Sequence, residues 1–173
     1  MVTNDPDLAG HVRLLGNYGS RKKYNHEVAG CNSRLDPVQA AVLRVKLGWL
    51  DEWNRRRRLA ARHYLQELSV LSGIMLPVIP PDTDPVWHLF VVQSECRDEL
   101  QQFLFGQNVE TLIHYPVAPH NSGAYANSFS VESGCLRSAQ HLADRVLSLP
   151  IGLHLSQEQQ NVVIKALKKW NDR

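Results

Sequence analysis

Apolar residues recur three and four positions apart in several stretches of the chain. Leu8, Val12 and Leu15 form a short run of this kind behind Asp5-Pro6. That pair reads as a helix N-cap followed by proline at the first helical position, and Gly16 reads as the stop. A longer run takes in Val38, Ala41, Val42, Val45, Trp49, Leu50 and Trp53, then Leu59, Ala60, Tyr64, Leu65 and Leu68. With Asp36 as N-cap and Pro37 behind it, the spacing predicts one long helix over 36–71. Gly48 falls inside it, where the helix can kink or split. So long an apolar stripe is expected to pack on more than this chain supplies. Beyond residue 86 the period changes. Trp87-His88-Leu89-Phe90-Val91-Val92 predicts a strand, 97–106 a helix, 110–114 a second strand, 137–145 a helix and 146–149 a short third strand. Ser156 caps a last helix, with Glu158 near its start and Lys165, Lys168 and Lys169 near its end, as the helix dipole favours. Its apolar face holds Val162, Val163, Ala166, Leu167 and Trp170. This order predicts an α/β sandwich with one small sheet and helices over one face.

Three stretches have no period. Residues 16–34 are rich in Gly, Asn, Ser, Tyr and Lys, 73–85 in Pro and Asp, and 116–134 carry Pro116, Pro119, Asn121, Gly123 and Gly134. A loop as long as 16–34 in a compact domain is either functional or disordered. No internal repeat or low-complexity segment appears. The 173 residues suffice for one domain, or one domain with an arm, and the 43% hydrophobic content is ordinary for a buried core. A formal charge of +2 gives no electrostatic case for nucleic acid or membrane as a partner. The cysteines, Cys31, Cys96 and Cys135, are odd in number and lack CxxC spacing. That favours reduced thiols in a cytosol over a disulfide framework or zinc site. The first residues do not resemble a signal peptide, and no apolar run nears the roughly 20 residues of a membrane span.

Two polar clusters could carry chemistry. Ile113-His114-Tyr115-Pro116, with Pro119-His120 beyond, places an imidazole and a phenol at a strand end stiffened by prolines. The plainer alternative is a strand terminus whose His and Tyr bond to nearby groups. Arg21-Lys22-Lys23-Tyr24, followed by Asn32, could hold phosphate through side chains and backbone N–H groups. The alternative is a solvated turn. Histidines are scattered without HxH or HExxH spacing, and P-loop, GxGxxG and GxSxG patterns are absent. Arg55-Arg56-Arg57-Arg58 would spread around a helix rather than form a nucleic-acid-binding stripe, so pairing with Asp51, Glu52 or Glu67 is expected. The cysteines have no activating partner in sequence.

In order, Val2-Thr3-Asn4-Asp5, Asn17-Tyr18-Gly19-Ser20, Lys23-Tyr24, His26-Glu27, Gly30-Cys31-Asn32-Ser33-Arg34-Leu35-Asp36 and Gln39-Ala40-Ala41 form a series of motifs. Trp87-His88-Leu89-Phe90, Thr111-Leu112-Ile113-His114-Tyr115-Pro116, Ser148-Leu149-Pro150-Ile151-Gly152 and Leu155-Ser156 complete it. Their order and spacing over nearly the whole chain resemble the DegT/DnrJ/EryC1/StrS sugar aminotransferases. Ala118, Asn121-Ser122 and Leu153 depart from the usual residues of that pattern. The resemblance implies the small C-terminal domain of a fold type I enzyme that uses pyridoxal 5'-phosphate to move an amino group, from glutamate, to a nucleotide-linked keto sugar. The look is closest to members acting on dTDP-3-keto-6-deoxyhexoses.

It divides the chain into an arm with an active-site loop (1–35), an interdomain helix (36–72) and a small α/β domain (73–173). It assigns Asn32 to the cofactor phosphate of a neighbouring subunit. Lys22, Lys23 and Tyr24 go to the nucleotide-sugar, and His114, Tyr115 and His120 to the sugar side, with Arg34 a candidate or a brace. The family's catalytic lysine is expected upstream of Met1, so the chain alone is expected to bind no cofactor and to be inactive. A homodimer and a cytoplasmic location are expected of the parent. A non-catalytic nucleotide-sugar-binding or dimerisation module, or a truncated gene remnant, is the alternative.

Overall fold

The computed structural model describes residues 2–125 and 136–173, which form two compact units, Met1–Leu50 and Asp51–Arg173. In the first unit, α1 (Pro6–Leu15) begins where its cap predicts. The Asp5 carboxylate accepts from the N–H groups of Asp7 at 2.9 Å and Leu8 at 3.1 Å. Two of the four donors left free at a helix start are thereby satisfied.

The stretch 16–34, read from sequence as loop, contains a small hairpin of β1 (Ser20–Lys22) and β2 (Asn25–His26). Ser20 faces His26 and Lys22 faces Asn25, so Arg21 is an extra residue that bulges the first strand. No alternating apolar pattern announces these strands, because backbone bonds hold them. Tyr18 N–H donates to Cys31 O at 3.0 Å, Cys31 N–H to Leu15 O at 2.9 Å, Ser33 N–H to Gly16 O at 3.0 Å and Glu27 N–H to Gly19 O at 2.7 Å. The approach this requires explains two glycines. A Cβ on Gly19, whose φ is +68°, would lie 1.8 Å from Val28 O, and one on Gly30 would lie 2.2 Å from Gly19 N.

Helix α2 (Pro37–Leu47) starts at the expected cap, with Asp36 accepting from Val38 N–H at 2.8 Å. The expected single helix over 36–71 is instead two, α2 and α3 (Leu50–Leu68). The break lies at Gly48, where Trp49 N–H bonds back three residues to Lys46 O in a tightened turn. No residue of α2 is buried, and Val38 at 73% and Val45 at 70% exposure leave its apolar side open.

In the second unit, β3 (Phe90–Gln93) and β4 (Val146–Leu149) pair antiparallel, Phe90 opposite Leu149 and Val92 opposite Leu147. These four side chains share a face and join one core cluster. Into the same cluster go Ala61, Tyr64 and Leu68 of α3, Leu100 and Leu104 of α4 (Arg97–Gly106), and Val163, Ile164 and Leu167 of the C-terminal helix (Gln157–Asn171). Helix α5 (Arg137–Arg145) precedes β4, which makes the C-terminal helix α6. Ser156 and Gln159 close a reciprocal capping box at the start of α6.

Two strand boundaries differ from the pattern. Trp87 has φ +56°, outside the extended region, so β3 begins only at Phe90. The predicted strand at 110–114 contracts to a single bridge between Leu112 and Ser148.

Polar contacts join α6 to α3. Gln160 Nε2 donates to Ala60 O at 2.6 Å, and Lys168 Nζ lies 2.6 Å from Glu67. Arg97 is buried but not unpartnered. Its guanidinium donates to the carbonyls of Ala143 at 3.1 Å and Val146 at 3.3 Å and pairs with Asp98 at 2.5 Å.

Tyr64 generates a prediction. Its ring packs on Phe90 with centroids 5.0 Å apart, and its hydroxyl donates to Pro150 O at 2.9 Å. Burial pushes this phenol above its ordinary value near 10. The unfolded chain then ionises Tyr64 first, so stability present below about pH 10 falls as pH rises further, by up to about 1.4 kcal/mol per pH unit. Urea unfolding should show Tyr64→Phe less stable by about 1 kcal/mol at neutral pH. The variant should also lose less than the parent between pH 9 and 11, and parallel losses would contradict this.

The open side of α2 generates another. Light scattering should show concentration-dependent self-association, which Val42→Lys with Val45→Lys reduces. A clean monomer at high concentration would count against it.

Candidate functional site

The sequence-predicted residues fall in both units, and each group is described within its own. In the first unit the hairpin carries Lys22 at the end of β1 and Lys23-Tyr24 as its two-residue turn. Tyr24 takes φ +67°, a left-handed conformation that costs a non-glycine residue about 1–2 kcal/mol. It is also 84% exposed. Lys23 Nζ sits 5.0 Å from the Tyr24 ring centroid. Among the described residues neither Lys22 nor Lys23 has a carboxylate partner, whereas the neighbouring Arg21 pairs with Glu27 at 3.5 Å. The tip thus presents two ammonium groups with no described carboxylate partner, one of them over the Tyr24 ring. Asn32 is not at the tip. It bridges Asn17 at the hairpin's base, outside both strands and the turn that carries Lys23 and Tyr24, and its exposed amide has no described partner.

Arg34 is a brace. Its guanidinium donates to Asn17 Oδ1 at 2.6 Å and lies 5.7 Å from the Tyr18 ring centroid, while Asn17 Nδ2 donates to Ser20 O at 2.7 Å. Residue type alone did not single out Asn17. Its signal was its place next to Tyr18-Gly19, where the chain turns left-handed. His26 Nδ1 is 2.9 Å from Tyr18 O. A carbonyl only accepts, so Nδ1 carries the proton there.

In the second unit His114 and Tyr115 follow the Leu112–Ser148 bridge, their rings edge to face with centroids 5.6 Å apart. His114 is half-buried, and its Nδ1 lies 2.9 Å from Ser148 Oγ. Tyr115 is 74% exposed. His120 lies in a short 3-10 turn (Pro119–Asn121), half-buried, and among the described residues no hydrogen bond or ring contact joins it to His114 or Tyr115. Ala118, where the resemblance led us to expect proline, is buried at the start of that turn. Ser148 is a site residue that the sequence reading missed. The available signal was a lone hydroxyl in the apolar strand Val146-Leu147-Ser148-Leu149.

His114 and Ser148 line an open cavity of about 1090 Å³. Its walls come from Leu89 on the approach to β3, Phe105 of α4, Ile151, and Val162 of α6, with Glu110 and His154 at its polar parts. A smaller cavity, about 420 Å³, lies between α3 and the start of α6. Neither cavity is lined by any of the chain's six lysines. Lys168 pairs with Glu67, and Lys169 donates to Gln107.

The arginine run is committed to structure in part. Arg55 and Arg56 both donate to Glu52, and Arg58 pairs with Asp84 at 2.7 Å. The hydrogen bond from Arg55, then that from Arg56, lowers the Glu52 carboxyl to about 2. Glu67 pairs with Lys168 rather than with an arginine. Cys31 and Cys96 are free and exposed, and Cys135 lies outside the described residues. Among the described residues no three His, Cys, Asp or Glu side chains converge as metal ligands, and no helix is long and apolar enough to cross a membrane.

The sequence model of the DegT/DnrJ/EryC1/StrS aminotransferase family matches residues 1–168. The chain is 54% identical over 173 residues to dTDP-3-amino-3,4,6-trideoxy-alpha-D-glucose transaminase of Streptomyces venezuelae, covering 100% of this chain and 45% of the relative. It is 42% identical over 170 residues to dTDP-3-amino-3,6-dideoxy-alpha-D-galactopyranose transaminase of Aneurinibacillus thermoaerophilus, covering 98% of this chain and 46% of the relative.

Among solved structures, S. venezuelae DesV in complex with a ketimine intermediate superposes with a TM-score of 0.93 at 55% identity, over 99% of this chain and 46% of that one. A DegT DnrJ EryC1 StrS aminotransferase from Brucella abortus gives 0.90 at 32%, over 99% and 45%. These neighbours have the type I aminotransferase fold. The chain therefore spans about 45% of the length of the curated relatives it matches. By sequence and by fold the chain belongs to the DegT/DnrJ/EryC1/StrS aminotransferase family.

Proposed function

We propose that this chain is the substrate-facing part of a nucleotide-sugar aminotransferase, which transfers an amino group from glutamate to a dTDP-linked 3-keto deoxyhexose. The observation that carries the reading is the hairpin tip. Lys22 and Lys23 project with no described carboxylate to neutralise them, and Tyr24 is held beside them at a conformational cost. Two ammonium groups and a phenol match a nucleoside diphosphate, whose charge takes the lysines and whose ring or ribose takes the aromatic face. The names of the transaminases from S. venezuelae and A. thermoaerophilus support the dTDP and 3-amino parts of the reading. Within the second unit, His114, Tyr115 and His120 are the proposed contacts to the sugar.

Pyridoxal 5'-phosphate, bound in the whole enzyme, supplies the electron sink for amino transfer. Among the described residues Asn32 suits it, with an exposed amide able to donate to the phosphate of a neighbouring subunit's cofactor. The six lysines do not fit a Schiff-base role, since none lines either cavity. No chemical step through the cofactor is therefore assigned to this chain. The open apolar side of α2 is covered in the homodimeric enzyme, which acts in the cytoplasm.

Calorimetry with dTDP tests the reading. Binding at low salt is expected, weakened roughly two- to fivefold each by Lys22→Ala and Lys23→Ala, as for exposed ionic contacts. Heat that stays at the dilution level with about millimolar dTDP would remove the phosphate-binding role of the tip.

A further inference from the structure

We propose that Ser148 is a positioning residue that fixes His114 in a single neutral tautomer, with the proton on Nε2, so that the imidazole offers the large cavity a hydrogen-bond donor. This rests on the reading that His114 meets the sugar.

Ser148 has little freedom. Its backbone is tied to Leu112, with Ser148 N–H donating to Leu112 O at 2.7 Å and Leu112 N–H donating to Ser148 O at 3.3 Å. On the other side it stands in register with Val91 of β3. The residue is 5% exposed, although it also borders the cavity. The one described partner of that hydroxyl is His114 Nδ1, at 2.9 Å.

A hydroxyl has a single proton and can also accept. If Ser148 donates to Nδ1, both groups are satisfied by one bond, and the ring proton must sit on Nε2. If Nδ1–H donates to Ser148 instead, the hydroxyl proton is left with no described acceptor in the protein. Leaving a buried donor unmade shifts the balance by on the order of tenfold or more. The first arrangement therefore dominates. The Tyr115 ring stands nearly perpendicular to the imidazole, with centroids 5.6 Å apart. Nε2 has no described partner, and His114 is among the residues that line the cavity. The donor so presented suits an acceptor oxygen on the sugar, a keto or hydroxyl oxygen, and not an ammonium or another donor. Ser148 acts through His114.

Ring-nitrogen NMR of the ¹⁵N-labelled chain tests the assignment at a pH where neutral imidazole dominates. His114 should show one acceptor-type nitrogen, Nδ1, and one protonated nitrogen, Nε2, at well-separated shifts. In Ser148→Ala the two shifts should move toward each other as the tautomers mix, and Ser148→Thr, which keeps the hydroxyl, should restore them. The amide spectrum of each variant reports whether it folds, and the parent protein alone can decide the matter if one does not. Averaged ring shifts in the parent, a proton on Nδ1, or unchanged shifts in a folded Ser148→Ala would each overturn the proposal. The spectra are taken without ligand. A failure there sinks the role of Ser148, whereas failure of dTDP to bind sinks the substrate reading alone.

Discussion

The contact of Phe90 and Val92 on β3 with Leu149 and Leu147 on β4 is the constraint on which the second unit depends. A two-stranded ribbon alone is marginal in water. Here it becomes stable because one face is buried under α3, α4 and α6, whose core residues converge on those four side chains. The alternation along a strand then has a consequence for the site. With Leu147 and Leu149 fixed toward the core, Ser148 between them must point to the opposite face. His114 reaches it there, across the Leu112 bridge. The hydrophobic core thus sets the orientation of the polar pair without touching it.

The first unit is held differently. Its buried apolar content is small, with Leu14 its buried large side chain. Order comes from backbone hydrogen bonds that need the segments at Gly19 and Gly30 to touch almost directly. Arg34 and Asn17 tie the hairpin's base from the side. A hydrogen-bonded base with an exposed tip leaves Lys23 and Tyr24 stacked on each other, with no described carboxylate partner for Lys23 within their unit. That arrangement suits side chains meant for a ligand.

What the sequence disclosed follows the range of the forces involved. Helix starts depend on residues one to three positions apart, so Asp5-Pro6, Asp36-Pro37 and Ser156 with Gln159 were legible. The core faces of α3 and α6 followed from period in part. Tyr64, Leu68, Val163, Ala166 and Leu167 are buried as expected, whereas Leu59 and Val162 are exposed and Ala61 and Ile164 join the core, because the faces are rotated by about one residue from the apolar count. The strand at 146–149 stands where its apolar run put it. The hairpin was not legible, because its strands are polar and are held by main-chain bonds. The predicted strand at 110–114 was overcalled because an apolar run does not reveal how much of a neighbour's edge is available. The pair of His114 and Ser148, separated by 34 residues, exists only once β4 has a register. Lysines 22 and 23 were recognisable as candidates from their setting. Their distance from Asn32 along the hairpin was not.

The central claim is that this chain holds substrate while the amine-transferring lysine is not among its own six. Borohydride reduction after incubation with pyridoxal phosphate, followed by intact-mass measurement and peptide mapping, tests it most directly. The account predicts no stable Schiff-base absorbance band and only scattered, substoichiometric labelling of exposed lysines. A stable band, with stoichiometric labelling of one lysine among Lys22, Lys23, Lys46, Lys165, Lys168 and Lys169, would contradict it.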